Sequence, residues 1–288
     1  MTILKNEPMS GHTTFATGGV ADTFVLPETT NELVEAVKTY SPHIVIGCGS
    51  NLLVSDDGYR GCIICTKNLD EKISHEVDGD ITYVTTAAGM SMADFAIDVC
   101  EHSLTGAEFM HGIPGSIGGG VFMNAGAYDS SISDILHEVC VADTAGNVMN
   151  VPARNLDMSY RYSNIRSKDQ IVLTATFALK RGDRSSIKAR MDELWERRIS
   201  KQPLEYPSAG STFKRPEGFF AGRLIEECGV KGHSIGGASV STKHSGFIIN
   251  QNHATSSDIY ALIQHVIEVV REKKGVTLEP EVRMIGDF

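Results

Sequence analysis

Hydrophobic and polar positions along the chain predict a mixture of helices and short strands. Residues 29–40 have the spacing of one helical face at four apolar positions: Leu33, Ala36, Val37 and Tyr40. Thr29 and Glu32 fit a capping box at the start of this helix. The apolar runs at 43–47 and 61–66 predict short buried strands. Together these elements predict a βαβ-like unit at the beginning of the chain.

The same patterns divide the chain into three predicted parts: 1–66, 67–200 and 201–288. In the second part we expect strands at ITYVTTAAG and QIVLTATFALKR, and a helix capped by Ser91. Residues 184–200 predict a connecting helix whose apolar face is Ile187, Met191, Leu194 and Ile199. In the third part Ser256 and Gly275 predict the start and end of a long helix, and residues 276–286 predict the final strand.

Composition indicates an ordinary folded protein, with 41% hydrophobic and 22% charged residues over 288 positions. A net charge of -10 argues against a general nucleic-acid binder, but it leaves room for a local basic pocket that binds an anionic small molecule. No apolar run approaches the roughly 20 residues of a membrane helix, and the first residues lack the apolar core of a signal peptide. We therefore expect a cytoplasmic protein without membrane or nucleic-acid partners.

Six cysteines are scattered along the chain, and Cys62 with Cys65 forms a CxxC pattern. A zinc site of this type needs a second cysteine pair, which the sequence does not contain. Both residues lie in an apolar strand pattern, where free cysteine behaves as a small hydrophobic residue. The pattern therefore favours core packing over metal binding.

Two glycine-rich motifs are candidates for binding a phosphate group. GCGSNLL, residues 47–53, follows a predicted strand, and its glycines allow backbone N–H groups to converge on phosphate oxygens. It matches neither the Rossmann fingerprint nor a P-loop, so a plain turn is as consistent with it as a phosphate cradle. GIPGSIGGGVFMNAGAY, residues 112–128, contains six glycines and predicts a long functional loop whose backbone lies against a large ligand with a diphosphate.

Two charged motifs are candidates for chemistry. Arg161 in YRYSNIR has the charge to stabilise a carboxylate or a developing enolate, although a solvated charged turn fits the motif equally well. Glu279 and Glu281 in LEPEVRMIG are two positions apart on a predicted strand, so we expect both carboxylates on one side. One of them is suited to acid or orienting work, and glutamates are also common on edge strands.

Ser211 lies in SAGSTFKRP, residues 208–216, where small residues precede it and basic residues follow. A nucleophilic serine at a strand–helix elbow requires the pattern GxSxG, but Phe213 occupies the place of the second glycine. None of the ten histidines has a clear partnering context. The sequence therefore gives little support to acyl transfer.

Seven motifs in a fixed order give the chain a wider resemblance. They are HTTFATGG, GCGSNLL, GAEFMHGIPGSIGGGVFMNAGAY, YRYSNIR, SAGSTFKRP, AGRLIEECGVKG and LEPEVRMIG. In this order they resemble the UDP-N-acetylenolpyruvoylglucosamine reductases, flavoenzymes of bacterial peptidoglycan synthesis, over nearly the whole chain. The chain lacks the extra tyrosine-bearing loop of the longer subtype and so resembles the shorter, second subtype. Ala16 stands where the family often has an arginine, which puts one cofactor contact in doubt.

The resemblance implies an α+β fold with an FAD-binding unit of the vanillyl-alcohol-oxidase-like type. Residues 1–66 and 67–200 would form its two subdomains, and residues 201–288 a C-terminal α+β substrate domain. The FAD diphosphate would be cradled by the backbone of the two glycine motifs. The implied cofactor-binding residues are Gly47, Cys48, Gly49, Ser50, Asn51, Leu52, Gly112, Ile113, Pro114, Gly115, Ser116, Gly118, Gly119, Asn124 and Gly126.

The resemblance also implies a reaction and its residues. NADPH would reduce FAD, flavin N5 would pass hydride to C3 of the enolpyruvyl ether, and Ser211 would donate a proton to C2. Arg161 and Glu281 would stabilise the charge at C2, which requires a raised pKa for Glu281. Lys201 and Arg215 match family positions and are candidate ligands of the uridine diphosphate, and Lys214 is a candidate from its charge and proximity alone.

Two other functions remain open on the sequence alone. An FAD-linked oxidase or dehydrogenase of the same superfold would share the FAD-binding residues but act on another substrate. A non-enzymatic nucleotide-binding module would have no use for Arg161, Ser211 and Glu281 acting together. In each case the expected partners are small molecules, and a monomer is the expected oligomeric state.

Overall fold

The computed structural model describes residues 1–69 and 73–288. The chain forms two compact units. Unit 1 contains Met1–Leu4, Phe24–Cys48 and Cys62–Arg198, and unit 2 contains Lys5–Thr23, Gly49–Gly61 and Ile199–Phe288. The three-part division at residues 66 and 200 stays a prediction. None of the helices in the described ranges is long and apolar enough to cross a membrane.

Strands and helices are mixed along the described residues, which confirms the predicted α+β class. The strands are β1 (Thr2–Pro8), β2 (Val20–Leu26), β3 (His43–Ile46), β4 (Leu52–Val54), β5 (Tyr59–Cys65), β6 (Ser74–Asp78), β7 (Ile81–Ala87), β8 (Leu104–Thr105), β9 (Gly126–Ala127), β10 (Ser130–Ser131), β11 (Leu136–Ala142), β12 (Val148–Pro152), β13 (Ile171–Arg181), β14 (Ser234–Ile235), β15 (Ala238–Val240), β16 (Ile248–Asn250) and β17 (Arg283–Ile285). The helices are α1 (Thr30–Thr39), α2 (Met92–Glu101), α3 (Ile117–Met123), α4 (Arg184–Lys201), α5 (Ala221–Glu227) and α6 (Ser256–Lys274).

Unit 1 contains a six-stranded antiparallel sheet in the order β12–β11–β13–β7–β6, with β8 also pairing with β13. The alternating pattern of β13 places Phe177 in the core, where its ring lies 4.7 Å from that of Phe95 on α2. In another sheet, β3 pairs with β5 in parallel. Cys62 and Cys65 lie buried in β5, which confirms their interpretation as small core residues.

Unit 2 contains the three-stranded antiparallel sheet β14–β15–β16 and helices α5 and α6. The apolar face of α6 is fully buried at Ile259, Leu262, Ile263, Val266 and Val270. β4 pairs in parallel with β17, from Leu52 opposite Arg283 to Val54 opposite Ile285. The core of unit 2 therefore joins residues from the beginning and the end of the chain.

Helix ends agree with the sequence predictions in most cases. The side chains of Thr29 and Ser91 accept the N–H of Glu32 and Asp94, as the cap patterns predict. The reciprocal half of the first box is different, because the Glu32 carboxylate accepts from the N–H of Glu28 instead of Thr29. Gly275 ends α6 with φ 68°, as predicted.

Two predicted helix positions need correction. Thr255, not Ser256, caps α6, because its hydroxyl accepts the Asp258 N–H in a complete capping box. On α4 the buried face contains Arg198, whereas Ile199 is 38% exposed. This follows from helical geometry, since Arg198 is four positions after the buried Leu194 and shares its face.

The glycine segment and the last strand also differ from their predictions. Residues 112–128 do not form one long loop, since α3 begins after Ser116 and ends at Asn124. The predicted final strand covered residues 276–286, but the structure forms a regular strand only at β17 within this range. Neither Glu279 nor Glu281 lies on it. Pro280 between them lacks a backbone N–H and forms only an isolated bridge with Phe213.

Candidate active site

The Ser211 segment and the two glutamates lie side by side in unit 2. The Lys214 N–H donates to the Glu279 carbonyl at 2.9 Å, and the Glu281 N–H donates to the Thr212 carbonyl at 2.8 Å. We call residues 211–215 and 279–281 the serine clasp. Two predicted catalytic residues, far apart in sequence, are thus held on adjacent backbone by hydrogen bonds.

The GCGSNLL motif also contacts the serine clasp, through hydrogen bonds of Asn51. The Asn51 side-chain amide donates to the Glu281 carbonyl at 3.1 Å, and the Asn51 carbonyl accepts the Arg283 N–H at 3.0 Å. These bonds extend the β4–β17 pairing by one step. Asn51, Ser211 and Glu281, all predicted site residues, therefore belong to one structural feature of unit 2.

Ser211 is exposed, although three residues close to it in the chain are buried. Ala209, Thr212 and Phe213 are buried, while Ser211 is exposed. Gly210 before it has φ 74°, and a Cβ built there would meet no other atom within 4 Å. The left-handed turn at Gly210 thus presents the Ser211 hydroxyl outward.

Basic side chains of the serine clasp have partners of their own. Lys214 forms an ion pair with Glu279, and the Arg215 guanidinium lies 4.0 Å from the centre of the Phe220 ring. Lys201 is exposed at the last position of α4. Glu279 is therefore held by an ion pair as well as by its carbonyl, and the choice of Glu281 as the catalytic glutamate stays a prediction.

Gly47 and Ser116, predicted in different motifs, meet in unit 1. A Cβ on Gly47 would lie 2.2 Å from the Ser116 hydroxyl, so only glycine allows this approach. Ser116 is buried, and its Oγ caps α3 by accepting the Gly119 N–H at 3.4 Å. The Cys65 thiol donates to the Gly47 carbonyl at 3.4 Å. The end of β3 and the start of α3 are therefore held together.

Glycines of α3 have two different explanations. A Cβ on Gly118 would lie 2.7 Å from the Ala88 Cβ, and one on Gly120 would lie 2.7 Å from Ile132. Internal packing therefore requires glycine at both positions. Gly119 is exposed, and a Cβ there would meet only the Ser116 hydroxyl at 3.4 Å. Its backbone is open to approach by a ligand.

Asn124 and Gly126 connect the glycine segment to Arg161. Asn124 is buried with φ 44°, and its amide donates to the Ser159 carbonyl while its side-chain oxygen accepts the Ser133 N–H. This is a structural role, and cofactor contact by Asn124 stays a prediction. The Gly126 carbonyl accepts from the Arg161 guanidinium at 3.1 Å.

Arg161 itself has an unusual backbone. Its φ is 55°, a left-handed conformation that costs a residue with a Cβ roughly 1–2 kcal/mol. Its guanidinium lies 4.9 Å from the centre of the Tyr160 ring, an exposed side chain. Strain of this kind collects where a structure fixes a side chain for a function.

The remaining GCGSNLL glycine and the position of the family arginine lie in unit 2. A Cβ on Gly49 would lie 1.9 Å from the His12 carbonyl oxygen, and its φ is 66°. Ala16 also has positive φ, 55°, and lines an open cavity of about 440 Å³ with Tyr206, Pro207 and residues 250–254. Gly49 is therefore explained by a close backbone crossing.

Arg198 is a functional candidate that the sequence patterns did not identify. Its side chain is 9% exposed, and its Nε finds no acceptor among the described residues. Burial lowers the pKa of this guanidinium, since desolvation penalises the charged form. A Cβ on Gly112 would lie 2.9 Å from Arg198 Cδ, so this side chain adjoins the glycine segment. The sequence signal for its burial is its position four residues after Leu194, on the same face of α4.

His111 adds a second polar atom of the same kind. Its Nδ1 is buried without a partner among residues 1–69 and 73–288, and its ring lies 6.1 Å from that of Trp195 on α4. Buried polar atoms in folded proteins nearly always bond to protein, water or a ligand. The surroundings of Gly112 therefore fit a bound group with acceptor atoms, such as a flavin or a phosphate.

The cysteines near Gly47 are held as thiols. Burial raises the pKa of Cys65 to about 11, and it also raises the pKa of Cys48, the half-buried member of the GCGSNLL motif. Neither thiol is ionised at neutral pH, so neither is a nucleophile in the resting protein. Their contribution is to pack the end of β3.

Comparison with known proteins defines the class first. Residues 21–152 match the FAD binding domain family, and residues 202–285 match the C-terminal domain of UDP-N-acetylenolpyruvoylglucosamine reductase. The fold is therefore that of an FAD-binding protein with a second, specialised domain. The buried, unpaired atoms of Arg198 and His111 and the open backbone at Gly119 fit such a cofactor.

Relatives along the whole chain define the family. The chain is 46% identical over 286 residues to the UDP-N-acetylenolpyruvoylglucosamine reductase of Lachnoclostridium phytofermentans, with 98% of this chain and 92% of that protein covered. It is also 46% identical to that of Caldanaerobacter subterraneus, covering 98% and 93%. The crystal structure of this reductase from Thermus caldophilus matches with a TM-score of 0.83 and 30% identity, covering 99% and 98%. The chain belongs to the UDP-N-acetylenolpyruvoylglucosamine reductase family and is an FAD-dependent oxidoreductase.

Proposed function

We propose that this chain reduces the enolpyruvyl ether of UDP-N-acetylglucosamine to UDP-N-acetylmuramate, with NADPH as reductant. The observation that carries the proposal is the serine clasp, in which Glu281 is hydrogen-bonded beside Thr212 and Asn51. It brings together three residues to which the family resemblance assigns a role. A binding module would not need an exposed serine held beside a glutamate on a rigid backbone.

FAD, when bound and reduced by NADPH, supplies a hydride to C3 of the enolpyruvyl group. The residues proposed to hold it in unit 1 are those around Gly47, Ser116 and Gly119. Arg198 is proposed to face an acceptor atom of the cofactor, since a buried guanidinium gains most from an anionic or carbonyl partner. Ser50, Asn51 and Leu52 of the GCGSNLL motif are also proposed cofactor contacts.

Addition of hydride at C3 leaves negative charge at C2, and the proposed function needs residues that stabilise it. Arg161 and Glu281 are the candidates, with Arg161 supplying a fixed positive charge. Glu281 contributes if its carboxyl group is protonated or acts through a hydrogen-bonded partner. The left-handed backbone of Arg161 supports a positioned role, because it is unfavourable for an unconstrained arginine.

Ser211 is the proposed proton donor to C2. An isolated hydroxyl is a weak acid, so a neighbouring cation must stabilise the alkoxide that forms. Lys214, three positions after Ser211, is one candidate for this cation. Its ion pair with Glu279 limits its freedom to move. Lys201 and Arg215 are the better candidates for binding the diphosphate, because both are exposed and match family positions, whereas Lys214 is engaged by Glu279.

Anaerobic half-reactions test the proposal. The FAD-loaded protein is first reduced with NADPH and then mixed with the enolpyruvyl substrate while flavin absorbance is recorded. For Ser211→Ala we expect flavin reduction by NADPH at the wild-type rate and product formation slowed by about 10²–10⁴-fold. Ser208→Ala, a change to a half-buried serine three positions earlier, is the matched control.

Different results would separate the alternatives. A wild-type protein that is reduced by NADPH but not reoxidised by the enolpyruvyl substrate would point to an FAD enzyme with another substrate. If Ser211→Ala formed product at the wild-type rate, the assignment of the proton donor would be wrong, whatever the substrate. A purified protein that takes up no FAD would contradict the whole proposal.

A further inference from the structure

A cluster of two histidines and one aspartate lies in unit 1 outside the proposed reductase chemistry. His75 is on β6, and Asp98 and His102 lie at the end of α2, one helical turn apart. His75 Nε2 is 2.9 Å from Asp98 Oδ2, and His102 Nδ1 is 3.5 Å from the same oxygen. All three residues offer ligand atoms within 4.8 Å of one another.

We infer that His75, Asp98 and His102 form a binding site for one divalent transition-metal ion, with Zn²⁺ as the best-suited ion. Imidazole nitrogens and one carboxylate are ligands that Zn²⁺ binds in proteins, at about 2.0–2.2 Å. In a tetrahedral site such bonds put neighbouring ligand atoms about 3.3 Å apart. The two observed separations from Asp98 Oδ2, 2.9 and 3.5 Å, lie on either side of that value.

The position of the cluster in the fold indicates a structural role for the bound ion. β6 is the edge strand of the six-stranded sheet, held by β7 alone on its hydrogen-bonding side. A metal bound by His75 and by the last turn of α2 would fasten this edge to the helix. Edge strands are the parts of a sheet that most need such protection.

Exposure allows an ion to reach the cluster and water to complete its coordination. The side chains of His75 and Asp98 are 21% and 25% exposed, and that of His102 is 52% exposed. The two imidazole rings stack with centroids 4.1 Å apart, so both rings already lie beside the Asp98 carboxylate. Three protein ligands and one open position is a common zinc arrangement.

Formation of the site has a cost at His102. Its Nδ1 lies 2.9 Å from the Asp98 carbonyl, to which it must donate because a carbonyl oxygen only accepts. Metal binding through Nδ1 therefore requires this nitrogen to give up that hydrogen bond, by exchange of tautomer or by rotation of the ring. We expect this exchange to weaken the site relative to a preformed one.

Metal titration of the full FAD-loaded chain, without a histidine tag and after chelator treatment, tests the inference. Co²⁺ serves as a spectroscopic probe, with Zn²⁺ added in competition and the binding heat of Zn²⁺ measured separately. We expect one equivalent of Zn²⁺ to bind and to raise the unfolding temperature. His75→Gln, Asp98→Asn and His102→Gln should each weaken binding at least about 10-fold and abolish the temperature rise.

A second histidine pair in the same protein provides the control. His233 and His265 in unit 2 stack with centroids 4.4 Å apart, but no described carboxylate completes a three-ligand group there. His265→Gln should leave Zn²⁺ binding unchanged. Loss of binding in His265→Gln, or equal binding in wild type and His75→Gln, would overturn the inference.

Folding of the variants is checked separately. Without metal, Asp98→Asn keeps the shape of the side chain, and its unfolding temperature should stay close to that of the wild type. If wild type binds no more Zn²⁺ than a variant that carries His75→Gln, Asp98→Asn and His102→Gln together, the cluster is a hydrogen-bonded pair with a neighbouring histidine and the metal site does not exist.

Discussion

The glycine segment (residues 112–128) and the serine clasp differ in what their surroundings require of each residue. In the glycine segment, Gly118, Gly120 and Gly126 are fixed by atoms that leave no room for a Cβ. In the serine clasp, backbone hydrogen bonds fix the chain while the side chains of Ser211 and Arg215 remain exposed. Substitutions in the first region should therefore affect folding, and those in the second should affect chemistry.

The largest effect that would sharpen this comparison is expected at Glu281. Its place in the serine clasp depends on its backbone N–H and carbonyl, which Glu281→Gln preserves. We expect turnover to fall about 10²–10³-fold, the usual cost of removing one group that stabilises transition-state charge. The free energy of unfolding should change by less than about 1 kcal/mol, as for most changes to partly exposed side chains.

Glu279→Gln is the matched control for this experiment. It removes the ion pair with Lys214, whose carboxylate side is 70% exposed. Exposed ion pairs contribute about 0–1 kcal/mol, so both turnover and stability should remain near wild-type values. A greater loss of turnover in Glu279→Gln than in Glu281→Gln would reverse the assignment of the two glutamates.

Within the glycine segment, neighbouring positions should respond in opposite ways. In Gly118→Ala the new Cβ would overlap the Ala88 Cβ, and we expect a loss of about 1–3 kcal/mol in the free energy of unfolding. In Gly119→Ala the new Cβ is nearly free, and alanine favours a helix over glycine by about 1 kcal/mol. Its stability should be unchanged or slightly higher.

Urea unfolding and FAD titration measure the two sides of this prediction. If the open backbone of Gly119 faces the cofactor, Gly119→Ala should weaken FAD binding although the protein is no less stable. A Gly119→Ala protein that is destabilised as much as Gly118→Ala would mean that packing, not ligand access, explains both glycines.

Features that depend on local interactions were predicted from the sequence, whereas features that depend on distant contacts were missed. The caps at Thr29 and Ser91 and the stop at Gly275 depend on residues within one turn, and all were predicted. The helix α3 was missed because three successive glycines disfavour a helix, and contacts with Ala88 and Ile132 override that preference.

The candidate site shows the same division more strongly. Motifs selected Ser211 and Glu281, but no local pattern contains the hydrogen bond between the Glu281 N–H and Thr212. Arg198 was missed because charged residues are rarely buried, and its burial is visible only when α4 is placed against its neighbours. Residue types can thus be chosen from sequence, whereas their partners depend on tertiary contacts.

Gly210 provides a smaller test, directly before the serine clasp. Its φ of 74° is unfavourable for alanine by about 1–2 kcal/mol, although a Cβ would meet no neighbour. Asparagine tolerates this conformation better, so Gly210→Asn should be more stable than Gly210→Ala. Chemical denaturation of the two variants measures the difference. Equal stability would show that the left-handed turn does not limit this position.

The smallest effect is expected at Asp56, a cap in unit 2 that belongs to neither region. Its carboxylate accepts the N–H groups of Ser256 and Ser257 at 2.8 Å and so caps α6 from another part of the chain. Burial acts to raise the pKa of Asp56, but the hydrogen bonds from Ser257 and Ser256 outweigh it and lower the pKa below 3.8. Asp56→Ala should cost about 1 kcal/mol at neutral pH.

The sign of the pH dependence follows from that lowered pKa. Ionised Asp56 stabilises the folded protein fully above its unfolded pKa near 3.8, and this contribution is lost as pH falls through the lower folded pKa. The stability difference between wild type and Asp56→Ala should therefore be constant from neutral pH to about pH 5 and shrink in more acidic solution. Asp57→Ala, at the adjacent exposed position, is the matched control. A difference that grew on acidification would contradict the capping role, because a protonated carboxyl group is the weaker acceptor.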